Sequence, residues 1–237
     1  MNDALSNFIY GAIGGGTVAA GLRIIENNLI TPRLAESLEA RRKLFHYGKP
    51  LWRVSDSLSS RLYQIQQKMD KPRTSLAASP RDAKTIDWFT TKQGNYITST
   101  AYMIAEMASW IVLFERDVVF LQFGRKSLTA SFLLKIRRFK DSISNKSNLW
   151  INYVDGIGEK LIKTDLSEPL NYSDFCFMIL KEKEFLDYYI QLFNYLNAVN
   201  QGKCVSSIGD TIIALDDINS FLVANKIIVD TSQRNRR

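Results

Sequence analysis

The sequence predicts an all-α protein, with one Gly-rich transmembrane helix at its N-terminus and a cytoplasmic bundle of five to seven helices. Turn-forming residues are scarce, since the 237 residues include only 5 Pro and 12 Gly, and five of those glycines lie in the first 21 positions. Apolar residues recur at three- and four-residue steps along most of the remaining chain, as in helices with one buried face. Residues 4–22 carry no charge, and about 20 such residues can cross a bilayer core.

The N-terminal segment contains two parallel rows of small residues at four-residue spacing. The first row is Gly11, Gly15 and Ala19, and the second is Ala12, Gly16 and Ala20. Small residues at this spacing let membrane helices approach each other closely. The rows therefore predict that the segment self-associates into a homo-oligomer.

Charge around this segment predicts its orientation. The nearest basic residues all follow it in the chain: Arg23, Arg33, Arg41, Arg42 and Lys43. Because basic flanks stay on the cytoplasmic side, we expect a single-pass protein of the plasma (inner) membrane with its soluble domain in the cytoplasm. The expected domains are a transmembrane anchor at 1–27, a polar linker helix at 28–47 and a helical bundle at 48–237.

Three other interpretations of the N-terminal segment remain open. A cleavable signal peptide would normally have a basic start, whereas this chain begins with Asp3 as its first charge. A nucleotide-binding turn of the form GxGxxA, at 14–19, would need a following βαβ unit, but residues 33–46 are highly charged and indicate a helix. The segment could also be a buried helix of a wholly soluble protein.

The soluble part is predicted to consist of amphipathic helices separated by a few breaks. A helix is expected to begin at Thr31-Pro32 and to end at Gly48-Lys49-Pro50. Residues 149–153 are predicted to form a short extended stretch. Asn171–Asp174 are expected to cap one long helix that reaches Leu196. Apolar stripes define three further helices: Leu51, Val54, Leu58, Leu62 and Ile65; Leu128, Phe132, Ile136, Phe139 and Ile143; Val205, Ile208, Ile212, Leu215 and Leu222.

The segment 96–123 is the most apolar part of the soluble region. Glu106 is its only charge before Glu115, so a second membrane span is one interpretation. A charged residue at mid-membrane is costly, and three charged residues follow directly in the same helix. We therefore predict a central core helix, with Glu106, Arg116 and Glu159 as polar core residues and with Arg116 or Arg61 as the ion-pair partner of Glu106.

Charge is unevenly distributed along the chain, whose net charge is +7. Residues 23–73 contain 11 basic and 5 acidic side chains, whereas residues 141–233 contain 7 basic and 13 acidic ones. A run without any acid forms a predicted basic face: Arg125, Lys126, Lys135, Arg137, Arg138 and Lys140. This face predicts binding of an anionic phospholipid membrane, or alternatively of nucleic acid or a nucleotide through phosphate contacts.

The residues that catalysis or metal binding usually requires are sparse. His46 is the only histidine, and Cys176 and Cys204 lack the spacing of metal ligands. No Walker A, GxSxG or HExxH motif is present. We therefore expect no catalytic centre, metal or cofactor; an unfamiliar enzyme site around Glu106 or Glu159 is the remaining catalytic hypothesis.

Five short stretches resemble an uncharacterised family of bacterial helical proteins that have an N-terminal hydrophobic helix. They are Gly48–Trp52 with Ser60–Tyr63, Thr98–Trp110 with Leu113–Leu121, and Ile157–Glu159. The similarity covers about residues 45–165 and implies a helical domain preceded by a hydrophobic helix, without implying an activity. Together with the patterns above, it leads to the hypothesis of a non-enzymatic membrane protein that acts as a scaffold or a signal-responsive effector.

Overall fold

The computed structural model describes residues 31–67, 78–118, 126–144, 149–165 and 167–228, and these residues form seven α-helices without a β-strand. The helices are α1 (Thr31–Gln67), α2 (Lys92–Val118), α3 (Lys126–Ser144), α4 (Ile151–Leu161), α5 (Tyr172–Lys181), α6 (Lys183–Asn200) and α7 (Val205–Ala224). Short 3-10 helices at Pro80–Asp82 and Ile86–Thr90 precede α2. The all-α prediction is confirmed for this part of the chain.

Helix α2 lies at the centre of the domain. No side chain between Ile97 and Phe114 is exposed, because α1 and α4 pack along most of its length and α5 and α6 contact it further round. It is the one described helix that is long and apolar enough to cross a membrane, and 72% of its most apolar window is buried inside the protein. This burial confirms the prediction of a central core helix.

Helix α4 crosses α2 at very short range through Gly158. A Cβ atom at position 158 would lie 2.7 Å from the carbonyl carbon of Ala108, closer than any side chain can approach. The hydroxyl of Ser109 donates to the carbonyl of Gly158 over 2.9 Å, which fixes the two backbones against each other. A glycine is required here because the contact is backbone to backbone.

Helix α1 runs through the position where the sequence predicted a break. Pro50 lacks an amide hydrogen and normally ends or kinks a helix, yet α1 continues from Thr31 to Gln67. Tyr47 and Leu51, on either side of the proline, are both buried in the core. A Cβ at Gly48 would lie only 2.4 Å from Ile227. Tertiary packing thus holds the helix together where local sequence favours its end.

The predicted long helix from Asn171 to Leu196 is wrong in one respect, because Glu182 divides it into α5 and α6. Glu182 has extended backbone angles (φ −112°, ψ 103°). In one straight helix Phe175 and Phe185 would stand about 15 Å apart, whereas the break brings their ring centroids within 5.8 Å. Both rings also contact Tyr189, so the break is stabilised by a buried aromatic cluster.

The other boundaries follow the predicted pattern, with one exception. The predicted start of α5 is confirmed, since Asn171 accepts a hydrogen bond from the amide of Asp174 over 2.9 Å. The extended stretch expected at 149–153 is not observed, because Ile151 to Tyr153 form the first turn of α4. The Tyr153 hydroxyl donates to the carbonyl of Tyr188 over 2.7 Å and ties this turn to α6.

The apolar stripes occupy the interior as predicted. Every described side chain of the three stripes is buried except the half-buried Ile212. Helices α3 and α7 pack antiparallel, since Phe132 stacks on Phe221 at one end and Ser142 bonds Thr211 near the other. Helix α7 also packs along α1, so the core is continuous from α1 through α7 to α3.

Candidate functional site

The predicted oligomerisation rows, Gly11, Gly15 and Ala19 with Ala12, Gly16 and Ala20, lie outside the described residues. The same holds for Arg125 and for the side chain of Lys126 in the predicted basic face. Self-association through these rows stays a prediction. The described part of the site begins with the remaining basic side chains of α3.

The outer basic side chains of α3 each lie beside an acid. Lys135 and Arg138 approach the same carboxylate oxygen of Asp217 on α7, at 3.7 Å and 3.3 Å. Arg137 lies 4.0 Å from Asp141 one turn along its own helix. These pairs balance much of the positive charge that the sequence concentrates here. Because they are partly exposed to water, each contributes at most about 1 kcal/mol to stability.

Lys140 belongs to the interior rather than to the basic face. Its side chain is only 10% exposed, and its ammonium group lies 2.7 Å from Glu115 of α2 and 2.7 Å from Asp155 of α4. One cation therefore connects three helices at the C-terminal end of α2. Burial alone would lower the pKa of Lys140, but the hydrogen bonds from its ammonium group to Asp155 and Glu115 outweigh that effect and raise it.

The outer surface between α3 and α7 contains a shallow groove of about 260 Å³. Its lining is mixed: Arg138, Asp141, Ser142, Asp210, Ile213, Ala214 and Asp217. Ile213 is 64% exposed at its edge. Three carboxylates and one guanidinium do not form a phosphate site, since phosphate recognition needs an excess of cationic donors.

Glu106 pairs with a residue that the sequence did not indicate. Its side chain is 14% exposed, and its carboxylate lies 3.4 Å from the guanidinium of Arg53 on α1. Arg53 is 67% exposed, so water screens the pair from one side. Glu106 is the only charge in the central stretch of α2, and Arg53 is the cation that faces it.

The expected partners of Glu106 are engaged elsewhere, and the prediction of Arg116 or Arg61 was wrong. Arg116 lies ten residues further along α2, about 15 Å away by helix rise, and contacts Asp117 at 3.3 Å. Arg61 donates to the hydroxyls of Ser99 and Thr100, each over 3.1 Å, and lies over the ring of Tyr96. Both guanidinium groups are fixed by local contacts at opposite ends of α2.

Glu159 does not join the polar core. It is exposed in the last turn of α4, whereas the neighbouring Gly158 faces α2. Because adjacent residues point about 100° apart around a helix, the packing of Gly158 against Ala108 directs Glu159 to solvent. Glu106 and Glu159 therefore do not form the carboxylate pair that a catalytic hypothesis would need.

The remaining nucleophilic or ligand-type residues are separated. His46 is exposed and contacts the ring of Tyr47. Cys176 is buried within α5, and burial raises the pKa of its thiol to about 11. Cys204 precedes α7 in a left-handed conformation with φ 61°. No group of three potential metal ligands occurs in the described residues.

Four charged residues that pair with the predicted site residues were not predicted as partners from the sequence. They are Arg53, Glu115, Asp155 and Asp217. Each lies on a different helix from its partner, so no spacing within one helix signals the pairing. Comparisons with known proteins add no further assignment, because no protein family, curated protein or solved structure matches the chain.

Proposed function

We propose that the chain is a non-enzymatic, membrane-anchored helical protein that self-associates through its Gly-rich segment. Its cytoplasmic domain acts as a scaffold or as a signal-responsive membrane effector. The observation that carries this proposal is the continuity of α1, which runs from Thr31 into the core and ends at Gln67. The uncharged segment 4–22 precedes this helix by only eight residues.

Continuity gives α1 a mechanical role in the proposal. A helix of 37 residues is about 55 Å long. Its second half buries Leu51, Leu58 and Leu62 against α2 and α7. A rotation or shift imposed near residue 31 would therefore reach both interfaces without passing through a flexible link. Association of the membrane segments is a way to impose such a movement.

Polar contacts make the interface of α1 with α7 specific. Ser59 donates to the carboxylate of Asp216 over 2.8 Å, and Ser55 donates to the amide oxygen of Asn219. Ser55 is fully buried. A shift of α1 by one turn would separate both pairs, although the Ser55 hydroxyl also lies 3.1 Å from the carbonyl of Trp52 in its own helix. The interface therefore favours one register of α1, as a transmitting helix requires.

The basic residues that follow the uncharged segment support a location at the cytoplasmic face of an anionic membrane. Arg33, Arg41, Arg42 and Lys43 all lie in the first third of α1. Each base near an anionic surface adds about 1 kcal/mol of attraction. The proposed partners are thus a second copy of the chain and anionic phospholipid.

The anchor and the oligomer are tested together with the full chain. Carbonate washing of membranes should leave the protein in the pellet. Gly15→Leu should reduce the oligomer size measured by light scattering in detergent, because leucine separates the two helices at the small rows. Thr17→Leu is the matched control, since residue 17 would lie on the other side of the proposed membrane helix. An unchanged size for Gly15→Leu would refute self-association through the rows.

A further inference from the structure

The central helix α2 has the charge pattern of a membrane span with a single interruption. After Lys92, Glu106 is the only charged residue before Glu115. The 22 residues from 93 to 114 would extend about 33 Å as a helix, which matches a hydrocarbon core of about 30 Å. Charged residues at both ends would lie at the two bilayer surfaces.

Three hydroxyl groups of α2 have acceptors on α2 itself, whereas the hydroxyl of Tyr102 donates to the carbonyl of Leu170 over 3.0 Å and the buried hydroxyl of Thr98 has no hydrogen-bond partner among the described residues. The Ser109 hydroxyl shares its single proton between the carbonyl of Ala105, at 2.7 Å, and that of Gly158. Thr100 donates to the carbonyl of Tyr96 over 2.7 Å. Ser99 also donates to the carbonyl of Tyr96, over 3.3 Å. The hydrogen bonds to Ala105 and Tyr96 lie within one turn of the helix, so they would persist in lipid, where no water replaces them.

The surface of α2 that meets α4 has the small-residue spacing of membrane helices. Ala101, Ala105 and Ser109 recur at four-residue steps, and Ser109 contacts Gly158 through its hydroxyl. Small residues at this spacing permit close helix packing both in water and in lipid. The contact with α4 therefore does not depend on an aqueous surrounding.

Glu106 is the single charged group in this stretch, and its charge opposes entry into a bilayer. Its carboxylate is held by Arg53, whose guanidinium is mostly in water. A charged carboxylate at the centre of a membrane is costly, whereas a neutral side chain costs much less. Arg53 from α1 is the charged group that faces it, while Tyr102 and Trp110 lie one turn away on α2.

We propose that α2 is a concealed membrane-spanning helix, kept in the helical domain by the surrounding helices and able to enter a bilayer once a proton neutralises Glu106. The Arg53–Glu106 pair is then a latch that opens when the acid loses its charge. This goes beyond the proposed function, because it gives the chain a second membrane-spanning element that is separate from residues 4–22.

The test is bilayer protection of α2 in the full chain. The protein is bound to vesicles of phosphatidylcholine and phosphatidylglycerol, at neutral pH or after acidification, and is digested in urea so that folded protein offers no protection. Mass spectrometry then identifies the protected peptides. For the natural sequence, we expect the 93–114 peptide to increase by at least about tenfold on acidification. Glu106→Gln should show the same protection at both pH values.

Two matched substitutions to lysine distinguish a loss of membrane insertion from a loss of folding. Met103 and Met178 are both half-buried methionines that pack against the core, the first in the middle of the 93–114 stretch and the second on α5. Met103→Lys should abolish protection of the 93–114 peptide, because it places a charge at mid-membrane. Met178→Lys should leave that protection unchanged. Circular dichroism at neutral pH checks the helical content of both variants.

Two outcomes would overturn the inference. One is the absence of the 93–114 peptide from the Glu106→Gln protein, and the other is equal protection of the Met103→Lys and Met178→Lys proteins. Constant protection of the natural sequence at both pH values would disprove the latch. The peptide from residues 4–22 reports separately on the anchor, so its loss alone contradicts the proposed function and leaves the inference on α2 standing.

Discussion

The inner and outer sides of α3 both place a basic side chain beside aspartate, but they do so in different surroundings. On the inner side, Lys140 is 10% exposed and contacts carboxylates from two other helices at 2.7 Å. On the outer side, Arg138 is 70% exposed and contacts Asp217 at 3.3 Å. In the sequence, both residues belong to the same run of basic side chains, so the sequence does not distinguish the buried one from the exposed one. Their energetic roles differ because water screens the outer contact more fully than the inner one, whose two carboxylates are 30% and 34% exposed.

This difference shows why a basic run is a weak predictor of an anion-binding surface. Within the run, Lys140 is withdrawn into the interior, and Lys135 and Arg138 share an acid that lies on α7. The field outside the domain depends on those partners as much as on the bases. Substitutions can separate the two kinds of contact, starting with the buried one.

The largest effect is expected for Lys140→Ala. The substitution leaves Glu115 and Asp155 facing each other without the cation between them. Breaking a buried ion pair in this way should lower the free energy of unfolding by about 3 kcal/mol, measured by urea denaturation. Lys135→Ala on the outer side is the control, and its effect should stay below about 1 kcal/mol. Equal losses in the two variants would mean that the inner and outer contacts are energetically alike.

The pH dependence of the stabilisation by Lys140 gives a second test of the inner contact. Its pKa in the folded state is raised above the ordinary lysine value, because the two carboxylates favour the charged form. The folded protein therefore binds the proton of Lys140 more tightly than the unfolded chain does. The stabilisation is fully present below about pH 10.4, the unfolded value, and is lost as the pH rises through the folded pKa. The difference in unfolding free energy between the natural sequence and Lys140→Ala should be constant near neutral pH and shrink in strong alkali.

Two glycines test how closely helices pack at two other places in the domain, and the changes in stability expected there are smaller. Gly158→Ala forces a Cβ to within 2.7 Å of the Ala108 backbone and should cost about 1–3 kcal/mol. Gly209→Ala in α7 meets only the flexible end of Gln66 at 3.3 Å. It should stabilise by about 0.5–1 kcal/mol, because alanine favours a helix interior. Thermal unfolding measures both, and a destabilised Gly209→Ala protein would show that the end of Gln66 does not move aside for the added methyl group.

The parts of this structure that the sequence predicts are those set by local periodicity. The stripe from Leu51 to Ile65 and the cap at Asn171 follow from three- and four-residue spacing and from side-chain chemistry close in sequence. Long-range contacts decide the rest. Pro50 lies inside a helix because the residues around it are buried. Arg138 finds its acid 79 positions away, a separation over which no spacing rule operates.

The smallest expected change in stability belongs to Asp217→Asn, which removes the acid shared by Lys135 and Arg138. Since both bases are solvated, the free energy of unfolding should fall by less than about 1 kcal/mol. The outer face of α3 gains positive charge, so binding to phosphatidylglycerol vesicles or to a nucleic acid should strengthen and should weaken again as salt rises. Asp56→Asn on α1, at an exposed position, is the control for the change in net charge. If both variants bind equally, the gain reflects net charge alone and the α3 face has no special affinity for anions. If only Asp217→Asn binds more tightly, the acid on α7 is what restrains the basic face.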